Sequence, residues 1–160
     1  MADRELLRQT VKVTNMNGGS LITSYEIPVF YETGLKRVRR ALLDQDVRVS
    51  AEFDGCEISG TLLGAGPVFS YRILCVDSPL LMLEAIAIDP AAAVFIPVHV
   101  VVSADGPNTR VDWINLENIQ GRRLPLGAIP PLRSLQAQIR RAVAGVPCAC
   151  DVSNPLVLSR

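Results

Sequence analysis

The stretch from Ser70 to Asp89 limits the fold more than any other part of the sequence. It begins as a strand, SYRILCVD, and becomes a helix, SPLLMLEAIAID, with Ser78 as the predicted N-cap and Pro79 at the first helical position. The helix has one ionised side chain, Glu84, and apolar residues around its whole circumference. Because one sheet covers only part of a helix surface, this helix needs cover from a second source.

Turn residues divide the rest of the chain into segments whose hydrophobic period changes at each turn. These patterns predict strands near 22–28, 47–53, 68–76, 94–103 and 109–116, and helices near 33–45, 78–88 and 131–144. Another strand is expected before the turn at Asn17-Gly18-Gly19, and Thr33 is the predicted N-cap of the first helix. Strands that are mostly sequential favour an α+β fold, with a single antiparallel sheet and helices packed on one face.

The length of 160 residues fits one domain with one core. We expect an N-terminal extension or strand over 1–20, a core over 21–145 and a tail over 146–160. The charged N-terminus does not resemble a secretory signal, and the most apolar run is broken by charged residues and prolines, which argues against a membrane span. The cysteines follow no regular framework and predict reduced thiols in a cytoplasmic protein; they are Cys56, Cys75, Cys148 and Cys150.

Charge and motifs argue against several partners and cofactors. The 16 basic and 16 acidic side chains cancel, so the basic cluster Lys36–Arg40 is interpreted as a solvated helix face and no nucleic-acid binding is predicted. The glycines of GTLLGAGPVF do not form a phosphate-binding loop, so no nucleotide cofactor is predicted. Cys148 and Cys150 would need two further ligands from distant positions, so no metal site is predicted either.

Three residues are the candidates for chemistry. His99 is the only histidine, and we expect it to be a partly buried structural residue. Asp77 precedes a helix N-terminus, where the helix dipole stabilises a carboxylate by up to about 1 kcal/mol. Alternatively, Asp77 and His99 converge at the mouth of a pocket as an acid–base pair, with Cys75 close by.

Three segments carry a resemblance to a known family. At their spacing, YETGLKRVRRALL, YRILCVDSP and VFIPVHVVVS resemble the bacterial family called domain of unknown function 302, over roughly Leu21 to Val143. The resemblance implies a fold like half of the TATA-binding protein, with a curved antiparallel sheet, and commonly a homodimer without established activity. The two recurrent cysteines of the family are missing at Asp77-Ser78-Pro79 and Ile96-Pro97-Val98, so no thiol or metal role carries over to those positions.

The apolar helix favours a homodimer whose interface includes Ser78–Ile88. The candidate interface residues are Leu80, Leu81, Met82, Leu83 and Ile86. Loops such as Ala91–Ala93 are an alternative source of cover. The sequence therefore predicts a homodimeric binding or interaction module for a small ligand or a protein partner, and the alternative is a small enzyme that uses Asp77 and His99. A pocket joining those two side chains would favour the enzyme, whereas an apolar surface without convergent titratable groups would favour the module.

Overall fold

The computed structural model describes residues 21–55, 70–121 and 124–146. In chain order the elements are β1 (Ile22–Ile27), α1 (Tyr31–Asp44), β2 (Arg48–Asp54), β3 (Tyr71–Asp77), α2 (Pro79–Ile88), β4 (Val98–Asp105), β5 (Asn108–Ile114) and α3 (Pro130–Ala144). Short 3-10 segments cover Pro90–Phe95, Leu116–Asn118 and Leu126–Ala128. The strand predicted before Asn17-Gly18-Gly19, and Cys56, Cys148 and Cys150, lie outside the described residues.

The five strands form one sheet in the order β1-β5-β4-β3-β2, and every neighbouring pair is antiparallel. This arrangement confirms the predicted α+β class. β4 occupies the centre, and its alternation places Val98, Val100 and Val102 on the buried inner face while His99 and Val101 point to the opposite, outer face. The sheet therefore has one face inside the core and one face turned away from it.

The core lies between the inner face and helices α1 and α3. Leu35, Val38 and Leu42 recur at helical spacing on α1, and Leu135 and Ile139 do so on α3, and all five are buried. Burial of each large apolar side chain stabilises the fold by about 1.5–3 kcal/mol. Packing of both amphipathic helices on the same side leaves the outer face without a helical layer from α1 or α3.

Gly34 allows α1 to approach β5 closely. A Cβ at this position would lie 2.1 Å from the Thr109 hydroxyl oxygen, which is too close for any other residue type without a shift of the helix. The same hydroxyl donates a hydrogen bond of 2.8 Å to the carbonyl oxygen of Val29. The glycine therefore sets the distance between helix and sheet at the start of α1.

Two predicted boundaries are wrong. Residues 94–97 are not strand, because the 3-10 segment runs to Phe95 and β4 begins only after Pro97; the Asp89 carboxylate starts that segment by accepting a hydrogen bond from the Ala91 amide. The first helix begins at Tyr31 with Phe30 in the N-cap position, so Thr33 lies inside its first turn. None of the helices that the structure describes is long and apolar enough to cross a membrane.

Candidate functional site

The outer face of the sheet is the part of the molecule where side chains remain accessible on a rigid support. Across it, Cys75 of β3 pairs with His99 of β4, and Ile73 pairs with Val101. His99 is exposed, and so is Phe53, which lies near the end of the edge strand β2. The expectation that His99 would be partly buried is therefore wrong, because no helix packs over its position on β4 in the described part of the chain.

A groove of about 370 Å³ opens at the end of this face where β1, β5 and β4 meet the 3-10 segment Pro90–Phe95. Its lining residues are Ile22, Val94, Phe95, Pro97, His99, Val101, Asp112, Trp113 and Ile114. All but His99 and Asp112 are apolar. The volume falls within the range of small-molecule sites, which are mostly apolar clefts with a few polar groups.

Trp113 lines the groove from β5, but its side chain lies on the inner face beside that of its partner Val100, in the main core. It is 2% exposed, and its ring stacks on that of Tyr25 with 5.4 Å between the centroids and 10° between the planes. β5 pairs with both β1 and β4, so this side of the groove belongs to the interior of the sheet and not to an edge. The groove is therefore built on rigid elements.

The two polar groups of the groove differ in their partners. The Asp112 carboxylate accepts a hydrogen bond from the Ser24 hydroxyl and forms an ion pair with Arg110, at 3.0 Å from Nε to Oδ2. The His99 imidazole makes no hydrogen bond or ion pair with any other described residue. His99 is therefore the polar group of the groove that is free to contact a ligand.

Asp77 is held by an arginine that sequence reasoning did not connect with it. Asp77 is 5% exposed, and its Oδ1 accepts a hydrogen bond of 3.0 Å from Nε of Arg48, the residue opposite it on β2. Nη2 of Arg48 also lies 3.0 Å from this oxygen. Asp77 does not line the groove. The structure thus places Asp77 and His99 on adjacent strands without a hydrogen bond between them.

Cys75 lies between these two residues on the sheet, with 4% of its surface exposed. Burial, and then the negative charge of Asp77, raise the pKa of its thiol. A thiol with a raised pKa is mostly protonated near neutral pH, and the protonated form is a poor nucleophile. The environment of Cys75 is therefore that of a structural cysteine.

The predicted interface helix, α2, is covered on one side by its own chain. Ala85 is buried in a second apolar cluster with Ala92 and Leu132, and Leu81 packs against the main core. Leu80 and Leu83 are each 65% exposed, whereas Met82 and Ile86 are half-buried. The segment after α2 thus supplies part of the cover, and two large leucines on the other side remain accessible.

Two of the four basic residues of α1, Arg39 and Arg40, pair with acids that sequence reasoning missed. Glu52 receives bonds from Arg39 and from Arg72, and Arg72 also pairs with Asp54 at 2.6 Å. Arg40 pairs with Asp44 one turn along the helix. The pairing of β2 with β3 brings Arg72 to this carboxylate and the packing of α1 on the sheet brings Arg39 there, and no local motif reports either contact.

The fold and its outer-face groove define an α+β domain with an open antiparallel sheet. Residues 24–146 match the family model "Domain of unknown function DUF302", so the chain belongs to that family. The resemblance noted in the sequence is confirmed. The fold is also similar to the crystal structure of an uncharacterized conserved DUF302 protein from Bacillus stearothermophilus, with a TM-score of 0.61, 16% identity and coverage of 79% of this chain and 94% of that chain. A comparison with curated proteins found no match.

Proposed function

We propose that this domain is a non-catalytic binding module that acts as a homodimer and takes a small, mostly apolar ligand in the groove beside His99. The observation that carries the proposal is the groove itself, with an apolar lining, one neutralised acid and one free imidazole. Such a lining favours a ligand that leaves water, while a few polar groups orient it. A concave groove of this size fits a small ligand better than it fits the flat surface of a protein partner.

Three features argue against the enzyme alternative. Asp77 is buried and its Oδ1 is engaged in an ion pair with Arg48. The pKa of the Cys75 thiol is raised by burial, which disfavours the nucleophilic thiolate. An acid–base pair must reach one bound substrate with both side chains, and Asp77 does not line the groove that His99 lines.

The homodimer is proposed on α2, because Leu80 and Leu83 are accessible on the side of the helix that its own chain does not cover. A two-fold axis beside this helix would cover the same residues on both subunits. The driving force for dimer association is the removal of several large apolar side chains from water.

The ligand proposal is tested by NMR titration of the 15N-labelled protein with 1-octanol as a neutral apolar probe. The backbone amide signal of Ile114, which lines the groove, reports occupancy. We expect a saturable shift in the wild type, and its loss in Val101→Lys, which places a charge in the groove. Phe53→Lys is the matched control, since Phe53 lies in the same cross-strand row but outside the groove. If neither octanol nor octanoate moves the signal, the proposal is overturned.

A further inference from the structure

We infer that the ligand of the groove is an apolar molecule carrying one anionic group, of the class of small carboxylic acids, and that His99 binds this group. The inference rests on the proposed function, since it concerns the chemistry of the ligand that the groove would take. It follows from a difference between the two polar groups of the groove: the Asp112 carboxylate is already paired, and the His99 imidazole is free.

Asp112, the acidic residue of the groove, is a weak binding site for a cation because its carboxylate already has partners. Oδ1 of Asp112 accepts from the Ser24 hydroxyl and from Arg110 Nε at 3.1 Å, and Oδ2 accepts from the same Nε at 3.0 Å. A cationic ligand would have to compete with a guanidinium that is already in place. A neutralised carboxylate therefore gives the groove no preference for positive charge.

The free imidazole of His99 favours an anion. A histidine ring carries at least one N–H donor in either protonation state, and a hydrogen bond to a charged acceptor is about twice as strong as one between neutral groups. The neighbouring charges do not oppose an anion: Asp112 is paired with Arg110, and Asp77 is paired with Arg48. Cys75, directly across from His99, presents a thiol whose pKa is raised by burial.

The apolar part of the ligand has a continuous surface on which to lie. Val94 and Phe95 come from the 3-10 segment, and Ile22 and Ile114 pair across β1 and β5. Val94 is the most exposed of the large apolar side chains in the described part of the chain. An alkyl or aromatic body along this wall would cover these residues while the anionic group reaches His99.

The test compares octanoate with 1-octanol, which have chains of equal length and differ in the charge of the head group. The only histidine gives a single ring C–H signal that reports contact with the head group, and the backbone amide of Ile114 again reports occupancy of the groove. In the wild type we expect octanoate to bind about tenfold more tightly than octanol, and to shift the His99 signal more.

The variant His99→Gln should retain octanol binding and lose the preference for octanoate. Because the His99 side chain is exposed, this substitution should leave the fold intact. Arg40→Gln is the matched control for a general charge effect, since it removes a positive charge from an exposed position on α1. It should leave both affinities unchanged.

The outcomes separate this inference from the proposed function. Equal affinity for octanol and octanoate, or tighter binding of octylammonium, would overturn the inference and leave the binding module standing. A His99→Gln variant that keeps the preference would overturn the assignment of His99. An Ile114 amide signal that moves with none of the probes would overturn both.

Discussion

At the scale of single residues, Glu52 shows how charge is managed where α1 crosses the sheet. Burial alone would raise the pKa of its carboxyl, but hydrogen bonds and charges from Arg39 and Arg72 outweigh this effect and lower the pKa. A group whose pKa is lowered by folding adds stability above its unfolded pKa, near 4.5, and this stability is lost as the pH falls through the folded value. The folded protein should therefore lose stability below about pH 4.5 partly through Glu52.

We predict that Glu52→Gln lowers the free energy of unfolding by about 1.5–3 kcal/mol at pH 7, because two arginines lose a charged acceptor. The difference from the wild type should shrink as the pH falls below about 4.5, because the stability that comes from the lowered pKa is then lost. Urea unfolding at neutral pH and at a pH below about 4.5 measures this. Asp44→Asn removes only the exposed pair with Arg40 and should change stability little at either pH. A Glu52→Gln variant that loses the same stability at both pH values would contradict the role assigned to the Glu52 charge.

At the scale of elements, α2 and the segment that follows it decide how much apolar surface the chain leaves uncovered. Ala85 and Ile88 pack into the second apolar cluster, whereas Leu80 and Leu83 do not. Helical spacing alone could not distinguish these positions, because every side of α2 is apolar. The structure therefore changes which residues test the interface: Leu81 packs on the main core, so a charge there would probe folding rather than association.

We predict that Leu83→Glu converts the proposed dimer into a monomer, because it places a charge at the centre of the exposed side of α2. Light scattering at micromolar concentration measures the mass. Leu43→Glu is the matched control, since Leu43 on α1 is 61% exposed, close to the 65% of Leu83, and should leave the mass unchanged. A wild-type protein that is already monomeric would refute the dimer, and a dimeric Leu83→Glu variant would place the interface elsewhere.

At the scale of the whole molecule, the balance of 16 basic and 16 acidic residues is accompanied by local pairing. Arg39 and Arg40 each have an acidic partner, so the basic side of α1 projects a weaker field than its sequence indicates. Binding to DNA depends on many unpaired cations that displace counterions from phosphates. The paired arrangement does not supply such a surface.

We therefore predict that the protein binds duplex DNA no better than other proteins of zero net charge, with no submicromolar affinity at about 150 mM salt. Fluorescence anisotropy across a range of salt concentrations measures this. Asp44→Asn frees Arg40 from its partner and should not create binding. Submicromolar affinity with a steep log–log dependence on salt would show that the arginines exchange their acidic partners for phosphates.

Local patterns predicted most of the fold because they depend on residues close together in the chain. The alternation of Val98, Val100 and Val102, and the stripe of Leu135 and Ile139, have periods that only one type of element can bury. The prediction of a strand over 94–97 is wrong because a short apolar run does not distinguish a strand from a 3-10 segment. In the fold the Asp89 carboxylate accepts a hydrogen bond from the Ala91 amide and caps the 3-10 segment.

The sequence by itself thus determined the α+β class, the order of the elements and the family, since hydrophobic period and turn residues act locally. The tertiary structure decided the site, because a groove depends on which strands become neighbours. Ile22, His99 and Asp112 come from three strands and meet only through the order β1-β5-β4. The register likewise chose Arg48 as the partner of Asp77 and left His99 free, and pairing between residues 29 positions apart is set by closure of the whole sheet.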